Sequence, residues 1–352
     1  MNKRMLVLSL VMMAGNGHAQ SIVTLYGAAG GGVRWVNNLK GGSAVQFSSI
    51  ESKNRFGLRG VEDLGDGISA IFLLENSFST GTGALGKTDT LFDAAAYVGV
   101  TGKFGQLTLG RQLNVAEDLI VDLDPSRVIG STAAITPDAL TGTNFFVGDT
   151  RFNNMVKYKM RIGGAGLGAS YSFGGVAGNT RAGSNYAVSL TYQTGPLYGG
   201  ASYQRTYSPD ASLFAQTWQA GGYWQIGPAR LYMSYFQLMV SGGEGANSSQ
   251  RRDSVPQGGV MWQVTPALVL TVAYYDDIAS NLGNVRGASG HKNTYYGIVD
   301  YFLSKRTNVY LEVDRNTFTG AYRTEPLNLA LFSRSPSSTA STGVTIGMTT
   351  RF

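Results

Sequence analysis

The stretch from Leu113 to Asp149 carries Glu117, Asp118, Asp122, Asp124 and Asp138 against Arg127 as counter-charge. Basic residues fall elsewhere, at alternate positions of apolar-polar runs. Arg34, Arg55 and Arg59 share the polar parity of the first two such runs, and Arg151 and Lys157 share a parity in a later one. Glu75 shares parity with Ser69. Opposed rows of fixed charge across a narrow gap impose a transverse field on whatever passes between them. The acids would also relieve repulsion among the three arginines. Other chemistries have less material. The chain holds no cysteine, which excludes disulfides, thiolate catalysis and cysteine zinc sites. Its histidines are His18 and His291. GTGALGKT, Gly81 to Thr88, fits the phosphate-loop pattern G-x-x-x-x-G-K-[ST], in which Lys87 would reach the outer phosphates and Thr88 a magnesium ion. That pattern needs a buried strand before it and a helix after it. ISAIFLLENSF and LFDAAAYVGVTG supply neither, so we read Gly81–Thr88 as a glycine-rich loop.

The elements that must position these groups are strands. Val23, Leu25, Val33 and Trp35 lie on one face of the first run, with Thr24, Tyr26 and Arg34 on the other. Phe56 and Leu58 alternate with Arg55, Gly57 and Arg59; Leu268, Leu270, Val272 and Tyr274 with Val269, Thr271 and Ala273; Val309, Leu311 and Val313 with Tyr310, Glu312 and Asp314. Period two marks strands with one apolar and one polar face. Short turns at Glu62–Gly67, Gly102–Gly105, Gly195-Pro196, Gly227-Pro228, Thr265-Pro266 and Ser304–Arg306 alternate with long polar loops, such as Ser241–Ser254, Asp277–Lys292 and Asn316–Ala340. Loops sorted by end predict an all-β transmembrane antiparallel barrel of about sixteen strands. A soluble sandwich would not sort its loops this way. The polar parity reads as small and wet, the face of a lumen, and aromatics such as Trp35, Tyr192, Trp224, Trp262, Tyr274 and Tyr301 fit interfacial girdles. Residues 113–149 are too long for a turn and too apolar for a disordered tract, which predicts a loop packed inside the barrel.

Composition agrees. Charged residues are 14% of the chain, against about 25% in soluble domains, and mean hydropathy is −0.05. Lys3 and Arg4, the run MLVLSLVMMAG and His18-Ala19 have the form of an export signal over residues 1–19, cleaved after Ala19. The barrel domain is then residues 20–352, and loss of Lys3 and Arg4 lowers the formal charge from +6 to +4. That mild, dispersed basicity excludes a nucleic-acid face.

VTLYG, NRFGLRGVEDLGDGISAIFLLE, AYVGVTGKFGQLTLGRQ, NNMVKY, LSKRT with YLEVD, and terminal Phe352 together resemble the general porins of β-proteobacteria, in the same order and spacing from Val23 to Phe352. The resemblance implies a sixteen-stranded homotrimeric outer-membrane barrel whose third external loop folds into the pore. It further implies a basic wall cluster facing acids on that loop. Family charges are absent at Ala28, Ala29 and Gly30 and at Ala94 and Ala95, and Leu73 stands where glutamine is common.

The expected function is a passive, water-filled channel of the Gram-negative outer membrane for ions and small hydrophilic solutes, with a weak anion preference. Arg34, Arg55, Arg59, Glu75, Arg151 and Lys157 would line the constriction on the wall, and Glu117, Asp118, Asp122 and Asp124 on the loop. Phe352 would serve assembly by the barrel-assembly machinery, since closure removes the exposed edge. Expected partners are outer-membrane lipid and two further copies of the chain, with no cofactor, metal or nucleic acid and no enzymatic activity. A channel selective for one solute class is the alternative. A barrel-scaffold hydrolase would have to work through His291, which reads as a solvated residue of an external loop.

Overall fold

A computed structural model describes residues 22–49, 54–126, 134–141, 144–245 and 248–352. The export signal with its cleavage site, Arg127 and the side chain of Asp138 lie outside the described part. The described strands are β1 (Ile22–Leu39), β2 (Gly42–Ser48), β3 (Arg55–Gly65), β4 (Ile68–Ser77), β5 (Ala95–Gly102), β6 (Gly105–Leu113), β7 (Arg151–Ile162), β8 (Ala165–Ser172) and β9 (Asn185–Thr194). They continue as β10 (Leu197–Tyr207), β11 (Phe214–Ile226), β12 (Ala229–Val240), β13 (Arg251–Thr265), β14 (Leu268–Ser280), β15 (Gly290–Phe302), β16 (Thr307–Phe318) and β17 (Ala340–Arg351). Helix α1 (Val115–Leu123) and the short α2 (Asp138–Thr141) lie between β6 and β7, and α3 (Pro326–Leu331) between β16 and β17.

Each strand pairs antiparallel with the next except β2 with β3, and β17 returns to β1. β2 and β3 follow one another along the same edge of β1, at Gly32–Leu39 and Ile22–Ala28. Together they make one broken stave, so the closed barrel has sixteen. Gly30 faces the break, and side chains fill it: Asn54 Oδ1 accepts from the Gly30 N–H and the Thr80 hydroxyl donates to the Gly30 carbonyl, both at 2.6 Å. Unpaired backbone groups at membrane depth would each cost several kcal/mol, and here none is left at Gly30. At the seam the Gly27 and Phe352 backbones exchange two hydrogen bonds of 3.0 Å. The Phe352 ring lies across Gly27, where a Cβ would stand 2.5 Å from it.

Turns and loops are sorted by end as the sequence predicts. Gly195 and Gly227 take φ of 53° and 54°, a left-handed first turn position that glycine supplies before Pro196 and Pro228. The long loops are shorter than the sequence reading, because β13 to β16 run on past the apolar band with polar residues. His291 accordingly sits on β15, not in a loop, and its Nδ1 lies 2.9 Å from Asp276 Oδ1.

Outward positions carry the exposed apolar residues, among them Val33, Val272, Leu311 and Ile346. Trp224, Trp262 and Tyr301 ring the short-turn end. The inner face departs from the uniformly wet lumen expected. On β11 to β16, Phe236, Leu238, Val240, Val255, Tyr275, Tyr296, Ile298 and Tyr310 point inward and form a core with Ile120, Ile135, Ala139 and Leu140 of the inserted loop. Strand periodicity states which face a residue takes; it is silent on what covers that face.

Candidate functional site

Helix α1 starts where Asn114 Oδ1 accepts from the N–H groups of Ala116 and Glu117 at 3.0 and 2.9 Å. Glu117 and Asp118 occupy the first turn, where the helix dipole favours acids. Asn114 Nδ2 in turn donates to Asn185 Oδ1 at 3.1 Å and to Gln204, so the cap that starts the helix also pins it to β9 and β10. The helix stops at Asp124, since the residue before Pro125 is disfavoured in the α region. Three inward glycines form its seat. Cβ atoms there would approach Val115 at Gly168, Leu119 at Gly200 and Pro125 at Gly259 to between 2.6 and 2.9 Å. The loop therefore lies against β8 to β16 and leaves the lumen open toward β3 to β7.

On the open side, a recess of about 310 Å³ is lined by Arg55, Glu75, Tyr97, Asp118, Lys157 and Lys159. Asp118 Oδ2 accepts from Lys157 Nζ at 2.7 Å and Lys159 Nζ at 2.9 Å. Burial pushes the Asp118 carboxyl up, but the two ammonium groups outweigh it and hold the group below its usual range. Lys157 also donates to the Leu113 carbonyl at 3.0 Å. Arg55 Nε stands 3.6 Å from Glu75 Oε2, which accepts from the Tyr26 hydroxyl at 2.6 Å, and the Arg59 guanidinium lies 5.7 Å from the centre of the Tyr26 ring.

The structure brings together some of the expected residues and separates others. Arg55, Glu75, Lys157, Arg151 and Asp118 line one recess, and Arg59 lies near it over the Tyr26 ring. Arg34 is elsewhere, and the expectation that it faces the loop acids is corrected. Its guanidinium reaches Glu312 at 3.1 Å and Asp314 at 2.6 Å on β16, with all three side chains buried. It gets there by crossing β17 over Gly343, where a Cβ would stand 2.0 Å from it. Asp122 and Asp124 also fail to meet the arginines. Asp122 Oδ2 accepts from the Tyr198 hydroxyl at 2.9 Å, and Asp124 Oδ2 from the Tyr275 hydroxyl at 2.7 Å. Glu117 is buried in the helix seat. The physical reason is the short tether: one residue separates β6 from α1, which is pinned to β9 and β10, so Asp118 points back at neighbouring β7. Arg151 donates to the Ala94 carbonyl at 3.3 Å and to Thr150.

Residues missed from sequence extend the open wall. Lys159 and Arg161 continue the parity of Lys157 along β7, a period-two signal visible in KYKMR. With Lys103 they line a second recess of about 340 Å³ beneath α1. Gly81–Thr88 folds as turns with no following helix. Lys87 Nζ reaches Asp149 Oδ2 at 3.3 Å, and Arg111 reaches the same oxygen at 2.7 Å. Burial raises Asp149, while the Arg111 hydrogen bond and the Arg151 N–H hold it below the usual carboxylate value.

The profile described as Gram-negative porin matches residues 6–321. An outer membrane porin protein of Bordetella pertussis is 30% identical over 58% of this chain and 60% of its own length. Outer membrane porin protein 32 of Delftia acidovorans is 28% identical over 88% of each chain. Among solved structures, an anion-selective porin from Comamonas acidovorans superposes with a TM-score of 0.78 at 21% identity, covering 95% of this chain and 100% of that one. That likeness speaks for the fold.

Proposed function

The chain belongs to the Gram-negative porin family, and on that premise we propose that it is a passive, water-filled outer-membrane channel for ions and small hydrophilic solutes with a weak anion preference. The observation that carries this reading is the composition of the open wall. Arg55, Arg59, Lys159 and Arg161 point into the unfilled part of the lumen with Lys103, and Glu75, Asp118 and Asp122 are the acids beside them. Arg55 and Lys159 keep 45% and 52% of their side chains exposed. At a constriction little bulk water separates an ion from these groups, so screening over the usual ~8 Å is incomplete. The Comamonas relative is named as anion-selective, which fits the same reading.

Three copies of the chain would assemble through outward apolar residues such as Val33, Val45 and Phe47, and Phe352 would serve barrel assembly. Transport of this kind involves no covalent step and no cofactor. His291, the imidazole a hydrolase would need, faces outward beside Asp276 and away from the lumen.

The test is the reversal potential of single channels in a salt gradient. Replacing Arg55 and Arg59 together by alanine should move it toward cation preference, and Lys159→Ala should move it the same way. Parent values in both proteins would overturn the assignment. Flux that saturates with one solute and not with others of its size would favour the selective channel instead.

A further inference from the structure

The lipid-facing surface of β13 to β16 reads as rows of cross-strand neighbours. Asp276, Asn293 and Thr317 form a polar row near the loop end. Next toward the turn end come Gly258, Tyr274, Tyr295, Arg315 and Thr342, and below them Val260, Val272, Gly297, Val313 and Val344. The tyrosine row is therefore the boundary between headgroup level and hydrocarbon, where aromatic belts sit. Tyr274 and Tyr295 pack with ring centroids 4.8 Å apart.

This boundary carries a groove of about 500 Å³, walled by Val260, Val272, Val313 and the two tyrosines. Its floor is at Gly297. A Cβ there would meet nothing closer than 3.9 Å, and the residue has no left-handed φ. The protein's own packing gives no reason for glycine at this position, and glycine weakens a strand interior. Such a glycine often marks a close approach by a ligand. At the head of the groove stands Arg315. It is exposed, donates to Thr342 Oγ1 at 3.1 Å, and forms no ion pair among the described residues. The nearest outward acid in these rows, Asp276, is engaged by His291.

We propose that this groove is a binding site for a phosphate-bearing acylated lipid of the outer leaflet, with the phosphate on Arg315 and the Tyr295 hydroxyl and one acyl chain lying over Gly297. An unpaired guanidinium at headgroup depth is inexpensive and matches phosphate in a bidentate geometry, while the same charge deeper in the bilayer would be strongly destabilising. The apolar groove below it supplies chain contacts that a free phosphate ion could not use. A second copy of the chain is the competing occupant. The site is independent of ion preference in the lumen.

The experiment is native mass spectrometry of the full barrel released from nanodiscs containing phosphatidic acid, or diacylglycerol with the same chains. The parent should retain phosphatidic acid and lose diacylglycerol. Arg315→Gln should lower retention about tenfold, the equivalent of one charge-assisted hydrogen bond, and Gly297→Leu should lower it with the arginine intact. Both variants should fold, associate and conduct as the parent does. Equal retention of the two lipids, or unchanged retention in both variants, overturns the site. Loss of subunit association in Gly297→Leu overturns it in favour of a second copy.

Discussion

On the wall formed by β11 to β16, Phe236, Val255, Tyr275 and Ile298 point inward and lie beneath the inserted loop, together with polar groups such as Thr294 and Asn316 that are wholly buried. On the wall formed by β3 to β7, Arg55, Arg59, Lys159 and Arg161 point inward as well, and they stand in water. The backbone is the same in both places, antiparallel strands with alternating faces. What differs is cover. Apolar cover turns much of the first wall into a core of the kind a soluble domain has, and its absence leaves the charges of the second wall within reach of an ion. A charge buried against that wall is consequently structural. Arg34 shows this: it points to the same side as Arg55 and spends its charge on Glu312 and Asp314.

The largest effect should come from removing the cover. Leu119→Asp combined with Ile120→Asp places carboxylates against the Gly200 seat and the apolar cluster. Truncation alone at such sites costs about 2–5 kcal/mol each, so the loop should leave the wall. Single-channel conductance should then rise well above the parent value. An unchanged conductance would mean that the loop is held by its ends and not by its apolar face.

A smaller effect, on stability alone, is expected at Arg34. Arg34→Met leaves Glu312 and Asp314 buried beside each other, at a cost of about 3–5 kcal/mol. The barrel should unfold at lower temperature by heat-shift electrophoresis while its reversal potential stays at the parent value. A shift in reversal potential would place Arg34 on the wrong side of the comparison.

The smallest effect concerns Asp118, which bridges the two regions. Its folded-state carboxyl is held below the ordinary 3.8. A depressed value contributes stability that is present above the ordinary value and is lost as pH falls through the folded one. The contribution of Asp118 to conductance and its noise should be constant from neutral pH down through 4 and change only at more acid pH. Asp118→Asn should remove that step at a cost of about 1 kcal/mol, because the pair is partly in water. A step near pH 5 that is present in the parent and absent from Asp118→Asn would contradict the sign.

Much of this was legible in the chain. Alternation in VTLYG and NVYLEVDRN, with Gly-Pro turns at one end, is enough to specify a barrel and to say that Arg34, Arg55 and Arg59 face inward. The charged recess beside α1 was legible only in part. KYKMR announces a basic file on β7, yet the partner of Asp118 depends on where α1 docks. That docking depends on glycines at 168, 200 and 259, which in sequence look like any other strand glycine. Likewise Glu312 and Asp314 read as wet lumen residues. Only the crossing of Arg34 over Gly343 makes them buried partners.

The division into a covered and an open wall can be tested directly because the chain has no native cysteine. Single cysteines would be placed at Arg59 and Arg161 on the open wall, and at Thr217 and Thr294 beneath the loop, and exposed to a charged, membrane-impermeant thiol reagent on both sides of the bilayer. The account predicts rapid labelling with a step in channel current for Arg59→Cys and Arg161→Cys, and no labelling of Thr217→Cys and Thr294→Cys until the barrel is denatured. Labelling of all four at similar rates would contradict it.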